Sequence, residues 1–286
     1  LIVEQVASPK QRRYFNQRGI TLIEMMIAIA LSMTLMAASL QFIVSTRQTY
    51  ELNDDISRVQ ENGRIALDIL VKDLQMAGYR QPLNGDGKVP DFFLQQCNNT
   101  ADDEDTAADD NAPCLLDGGG ALSDRIAVQF DPPPDNGTET DCLGTALAAT
   151  SIVVNVYTVQ DIDGDGINSL YCQGYDATNE SWLTAAPQPL VDGIDNMQVL
   201  YGVAGTVANP QSVTRYVSGD NLLPADWPNL RAIRVALLVS NGNAAAFAEN
   251  RERKYRVLDS DEIAVTDSQP RRIYSTTVKF NNYGAL

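Results

Sequence analysis

The feature that most constrains this chain is a run of 22 uncharged residues, Met25 to Thr46, with Glu24 at its head. As a helix the run extends roughly 33 Å at about 1.5 Å per residue, enough to cross a hydrocarbon core of about 30 Å. Lys10, Arg12, Arg13 and Arg18 precede it against Glu4 alone, so the positive-inside rule holds the N-terminus in the cytoplasm and sends the remainder across the membrane. An ordinary secretory signal peptide imitates this layout with a basic start, an apolar segment and the small residues Ala37-Ala38-Ser39. The apolar segment exceeds the ~7–15 residues of such a signal, and a carboxylate at its head has no use there. A plain anchor accounts for neither Glu24 nor the Arg18-Gly19 pair before the apolar run. A carboxylate at this depth costs on the order of 2.5–3.5 kcal/mol or more unless paired, which makes Glu24 a functional residue by default.

Beyond the apolar run the helical spacing continues. Leu52, Ile56, Val59, Gly63, Ala66, Leu67, Leu70, Leu74 and Ala77 recur at steps of three or four and form one apolar face. Arg58, Glu61, Arg64, Asp68, Lys72 and Asp73 are read onto the opposite, solvated face, with Gly78 and then Pro82 ending the helix. From Ile20 to Ala77 it would run roughly 87 Å. Short β-branched runs follow at 125–130, 151–159, 169–175, 194–203, 231–240 and 272–280, separated by Gly, Pro, Asn and Asp clusters. The expected class is α+β, with the second half of the helix as a spine against an antiparallel sheet. A coiled coil would show the same stripe, but a downstream β region needs a covering helix.

Charge divides the chain. Residues 81–200 hold only Lys88 and Arg125 against 21 carboxylates, whereas the flanking blocks are nearly balanced. The net charge of −16 repels a phosphate backbone at long range, so nucleic acid is not an expected partner. There is no histidine, which excludes Ser-His-Asp triads, Cys-His dyads and His-ligated zinc or haem. No GxSxG, Walker A or HExxH string is present, and the chain is expected not to be an enzyme. The stretch 83–124, with Asp-Asp-Glu-Asp at 102–105, is too polar to bury much area and reads as an irregular excursion.

Four cysteines remain, all on the translocated side, where thiols oxidise. Cys97 and Cys114 bracket part of the acidic excursion, and Cys142 and Cys172 bracket the run at 151–159. Three pairings are open, and this bracketing favours 97–114 with 142–172 as structural staples rather than a redox or metal cluster. Asp161, Asp163, Asp165, Ile167 and Ser169 fit the first part of a calcium-binding loop, with Gly166 at its sharp turn. The twelfth position is Cys172 instead of the bidentate glutamate, and a Gly/Asp-rich hairpin turn uses the same residues. Arg251, Arg253, Lys254 and Arg256 form the one notable basic cluster, read as an exposed strand or loop rather than a DNA-uptake patch.

Arg18-Gly19 followed by Ile20-Thr21-Leu22-Ile23-Glu24 resembles the class III leader of type IV prepilins and type II secretion pseudopilins, cut after the glycine by the prepilin peptidase. The resemblance implies that residues 1–19 are removed and that Ile20 becomes an N-methylated first residue. Ile20 stands where that family usually has phenylalanine, and Glu24 falls at its acidic fifth position. Further blocks resemble one minor pilin type, PilW: Glu61–Asp68, Asp73–Tyr79, Val191–Gly202, Arg231–Val239 and Tyr274–Val278. The resemblance implies a transmembrane half of the helix at 20–46, a periplasmic half at 47–79, and a globular domain over 80–286 with the acidic insertion at 83–124. It also implies a protein of the bacterial inner membrane that passes into the pilus fibre, at its tip. There it would prime assembly beside other minor pilins, the major pilin and a PilY-type tip adhesin, in a system serving adhesion and twitching motility. A minor pseudopilin of type II secretion is the alternative.

Overall fold

The computed structural model describes residues 19–80, 91–97, 112–131, 139–148, 151–205, 212–242 and 250–282. The leader 1–18 and much of the acidic stretch, 83–90 and 98–111, lie outside the described residues. Helix α1, Leu22–Met76, belongs to both of two compact units, which divide between Tyr50 and Glu51. The first unit is the apolar part of this helix. The second contains ten strands of five or more residues among those described: β1 Ile126–Phe130, β2 Val153–Gln160, β3 Ser169–Asp176, β4 Gln188–Asp192, β5 Ile194–Ala204, β6 Val213–Val217, β7 Leu230–Ser240, β8 Arg251–Tyr255, β9 Ile263–Asp267 and β10 Arg271–Lys279.

All the pairings are antiparallel. One sheet runs β1-β2-β3, with β4 also on β3, and a second runs β6-β5-β7-β10. Hairpin β8–β9 stands apart and covers Ala236 and Leu238 of β7 with Val257, Tyr255 and Ile263. Strand β7 is therefore buried on both faces. This explains its near-continuous apolar sequence, since a strand covered on both sides loses the alternation of a half-exposed one.

Val59, Gly63, Ala66, Leu70 and Leu74 are the buried positions of α1, and the first core cluster joins Val59, Ala66, Leu70 and Leu74 to Ile194, Val199, Tyr201, Ile233 and Leu237. Gly63 is required by a close approach: a Cβ there would sit 2.5 Å from a ring carbon of Tyr274. Gly78 has φ +69° and its N–H donates to Gln129 O at 2.9 Å, while Asn282 Nδ2 donates to Ala77 O at 2.9 Å. These bonds give the helix end its partners.

Three readings need correction. Leu52 and Ile56 lie on the apolar stripe but stay 48 % and 38 % exposed, so the sheet does not cover the stripe from its start. Asp73 does not face solvent; its carboxylate turns toward the first sheet. The excursion 83–124 is not wholly irregular, for Phe93 is 2 % exposed, with ring centroids 5.5 Å from those of Tyr201 and Phe280. Phe92 stacks on Phe280 at 4.7 Å, so this aromatic pair anchors an otherwise polar stretch in the core.

Candidate functional site

The N-terminal end of α1 is built by a local pattern. Thr21 precedes the first helical residue, and its Oγ1 accepts the Glu24 N–H at 3.3 Å while its carbonyl accepts the Glu24 and Met25 N–H groups. Thr-x-x-Glu is the sequence of a capping box, and a carboxylate in the first turn also complements the positive end of the helix dipole. Gly19 and Ile20 are exposed and lie just ahead of the helix. The side chains that follow have no core of their own: Leu22, Leu35 and Phe42 are 79 %, 70 % and 73 % exposed. The polar groups among them are satisfied internally. Thr34 Oγ1 donates to Leu31 O, Ser39 Oγ to Leu35 O and Thr46 Oγ1 to Phe42 O, each at 2.8 Å. Hydroxyls bonded in this way to carbonyls of their own helix can enter hydrocarbon at reduced cost.

The structure joins Cys97 to Cys114, with Cα atoms 5.4 Å apart, and Cys142 to Cys172, 6.6 Å apart. Cys172 is fully buried on β3, so the second bridge ties the 139–148 segment to the central strand of its sheet.

The aspartate loop is an exposed turn between β2 and β3. Carboxylate oxygens of Asp161, Asp163 and Asp165 come within 4.8 Å of one another. Asp161 accepts the Gly164 N–H at 2.9 Å and the Gly166 N–H at 3.0 Å, and Asp165 accepts the Ile167 N–H at 2.7 Å. Two further side chains are otherwise engaged: the Ser169 hydroxyl donates to Asp192 at 3.0 Å, and Cys172 is in its disulfide. The donor set that converges is three carboxylates, of the hard-oxygen kind that calcium takes.

Three buried polar groups escaped the sequence reading. Asp73 Oδ2 accepts both Asn155 Nδ2 and Tyr157 Oη at 2.6 Å, linking α1 to β2. Burial pushes the Asp73 carboxyl above the usual carboxylate range against the pull of those two bonds, and nearby Asp141 adds to the rise. Asp124 accepts N–H groups from Gly118 at 2.9 Å and Val199 at 2.7 Å, and burial raises its pKa to about 7. Arg271, its side chain 7 % exposed, donates to Asp195 and, at 2.7 Å, to Asp267; this guanidinium holds Asp267 below its ordinary value. Alternation could have revealed one of them. Asn155 and Tyr157 are two residues apart on one strand, and Asp73 lies three residues after Leu70 and four before Ala77.

Of the basic cluster, Arg251, Arg253 and Lys254 lie on strand β8, paired with β9, with Lys254 bonded to Glu262 at 2.7 Å, and Arg256 follows the strand.

Residues 156–282 match the family described as Type IV Pilus-assembly protein W, and residues 14–40 match the prokaryotic N-terminal methylation motif. No curated protein matches the chain. Among solved structures, a type IV-like pilin from Thermus thermophilus aligns with 17 % identity over 79 % of this chain and 99 % of its own, with a TM-score of 0.40. The methylation motif spans the Gly19–Glu24 junction and the PilW match runs from within β2 to β10; both on one chain support a type IV minor pilin of the PilW type.

Proposed function

We propose that this protein primes assembly of a type IV pilus, within a tip complex of minor pilins and a PilY-type adhesin. A pilin of this family works beside other pilins and the pilus machinery, and its methylation motif and apolar helix fit anchorage in the inner membrane. The observation that carries the mechanism is Glu24 in the first turn of an apolar helix whose large side chains are exposed.

Cleavage after Gly19 would free a cationic amine on Ile20. That amine and the Glu24 carboxylate then lie about one helical turn apart, each costly in hydrocarbon. Subunits stacked with an axial offset place Glu24 of one chain against the amine of the next. This turns the cost of an isolated charge into a signal for docking, while the apolar helix faces supply most of the contact area. Glu24→Ala, and less severely Glu24→Gln, should leave membrane insertion and cleavage intact but lower the ratio of this protein to major pilin in sheared fibres. Normal incorporation of the Ala variant would mean that helix packing suffices without charge pairing. The pseudopilin alternative is separated by a deletion strain scored for surface pili and for secreted enzymes, since loss of secretion with normal piliation would replace the pilus reading.

A further inference from the structure

The basic strand and the uncovered start of the apolar stripe meet at one place. A groove of about 430 Å³ opens between the helical turn around Ile56 and Val59 and a wall formed by Arg253, Tyr255, Pro270 and Arg272. Its floor is apolar and does not stop at Ile56, because Leu52 continues the same face one turn earlier and is 48 % exposed. From Leu52 to Val59 this strip runs about 10 Å along the helix. Anchors at intervals of four and three residues are what a second helix lying alongside would engage.

The wall has a definite sign. Arg253 and Tyr255 alternate on β8, Arg253 is held by a 2.8 Å bond to the Gln269 carbonyl, and Arg272 is exposed at the start of β10. Arg271 behind them is fixed by Asp195 and Asp267. On a chain of net charge −16, whose residues 81–200 hold 21 carboxylates, this is a local concentration of positive charge. Long-range repulsion elsewhere and attraction here would steer an acidic partner to the groove.

We propose that this groove docks an acidic amphipathic helix of a neighbouring pilin, its apolar face on Leu52, Ile56 and Val59 and its carboxylates against Arg253 and Arg272. The proposal rests on the fibre reading above and adds to it a surface outside the apolar run. A second copy of this chain, or nucleic acid, are the other occupants that the test distinguishes.

The test uses full-length protein in cells carrying the whole pilus system, with a photocrosslinking residue at position 56 or 272 and, as a control, at 223, where Leu223 is 59 % exposed away from the groove lining. The expected result is an adduct from positions 56 and 272, but not 223, with one other pilin, mapped to an acidic helical segment. With the probe at position 56, Arg253→Glu with Arg272→Glu should lower the yield at least tenfold, while Arg253→Lys with Arg272→Lys retains most of it. Non-reducing peptide mapping of both disulfides establishes that each variant is folded. An adduct with a second copy or with nucleic acid overturns the proposal, as does a yield equal to that at 223 or insensitive to charge reversal. Pili counted in the deletion strain separate the two readings. No adduct with loss of pili sinks the groove and leaves priming intact, whereas an adduct with normal pili sinks priming alone.

Discussion

Replacing Asp73 by asparagine should cost the periplasmic unit far less than replacing it by alanine. Asp73 Oδ2 accepts two hydrogen bonds at 2.6 Å, from Asn155 and from Tyr157, whose ring is fully buried. Alanine removes the acceptor and strands two buried donors, each worth about 1–3 kcal/mol when left unsatisfied, so a loss of roughly 3–5 kcal/mol is expected. Asparagine keeps a carbonyl oxygen that can take both bonds. It also removes a charge that burial disfavours, as the raised pKa of Asp73 shows. The net change at pH 7 should then be within about 1 kcal/mol of zero. Tyr157→Phe lies between, since it deletes one charge-assisted bond worth about 1.5–3 kcal/mol. The assay is urea unfolding of the unit beginning at Glu51, made in an oxidising compartment, with Tm as a second readout. For a unit of this size each kcal/mol shifts Tm by about 2–4 °C. The sign of the pH dependence follows from the same shift: the native state keeps the Asp73 proton to higher pH than the unfolded chain does. Stability from this group therefore falls as pH rises from the unfolded carboxylate value, about 3.9, toward the native one, and Asp73→Asn should abolish that fall. If the asparagine variant loses as much as the alanine variant, the charge itself is being used and the desolvation argument is wrong.

Gly193 has φ +74°, and a Cβ there would lie 2.3 Å from the Ser240 carbonyl oxygen, so Gly193→Ala should cost about 3 kcal/mol or more. Gly164 has the same φ with open space around it, and Gly164→Ala should cost only about 1–2 kcal/mol; equal losses in urea unfolding would discount the clash. Asp124, with its pKa raised to about 7, binds its proton in the native state over a range where the unfolded chain has released it. The stability advantage of the native chain over Asp124→Asn should shrink by up to about 1.4 kcal/mol per pH unit between pH 4.5 and 7, and an advantage that grew would mean the backbone N–H donors outweigh burial. The aspartate loop supplies three carboxylates but no bidentate ligand from its twelfth position, so its calcium affinity is expected in the millimolar range of extracellular modules. At a Kd of about 1 mM, 5 mM calcium adds about 1 kcal/mol, a gain that Asp161→Ala with Asp163→Ala should remove; no shift in Tm would leave the loop a plain turn.

How much of this was legible in the sequence depended on whether the signal was local. The six β-branched runs appear as β1, β2, β3, β5, β7 and β10: the first five are largely buried along their own length, and β10, an edge strand with Val278 alone buried, is legible from its β-branched and aromatic residues. Strands β4, β6, β8 and β9 escaped because they lie at sheet edges or in the separate hairpin, where one face is wet and sequences such as Arg-Glu-Arg-Lys-Tyr suit a strand or a loop equally. Asp73 was misplaced for a different reason. Polarity assigned it to water although its spacing from Leu70 and Ala77 puts it on the buried face, and its partners Asn155 and Tyr157 lie more than eighty positions away, where helical periodicity cannot name them. The same holds for the second donor of Asp124, the Val199 N–H, 75 positions away. The Gly19–Glu24 junction is the opposite case. Gly19, Ile20 and Glu24 are exposed, and the roles proposed for them need only a peptidase or a neighbouring helix meeting a single exposed turn. A linear motif can therefore specify it completely, while the groove at Ile56 and Arg272 needed the fold to bring a helix face and a distant basic strand together.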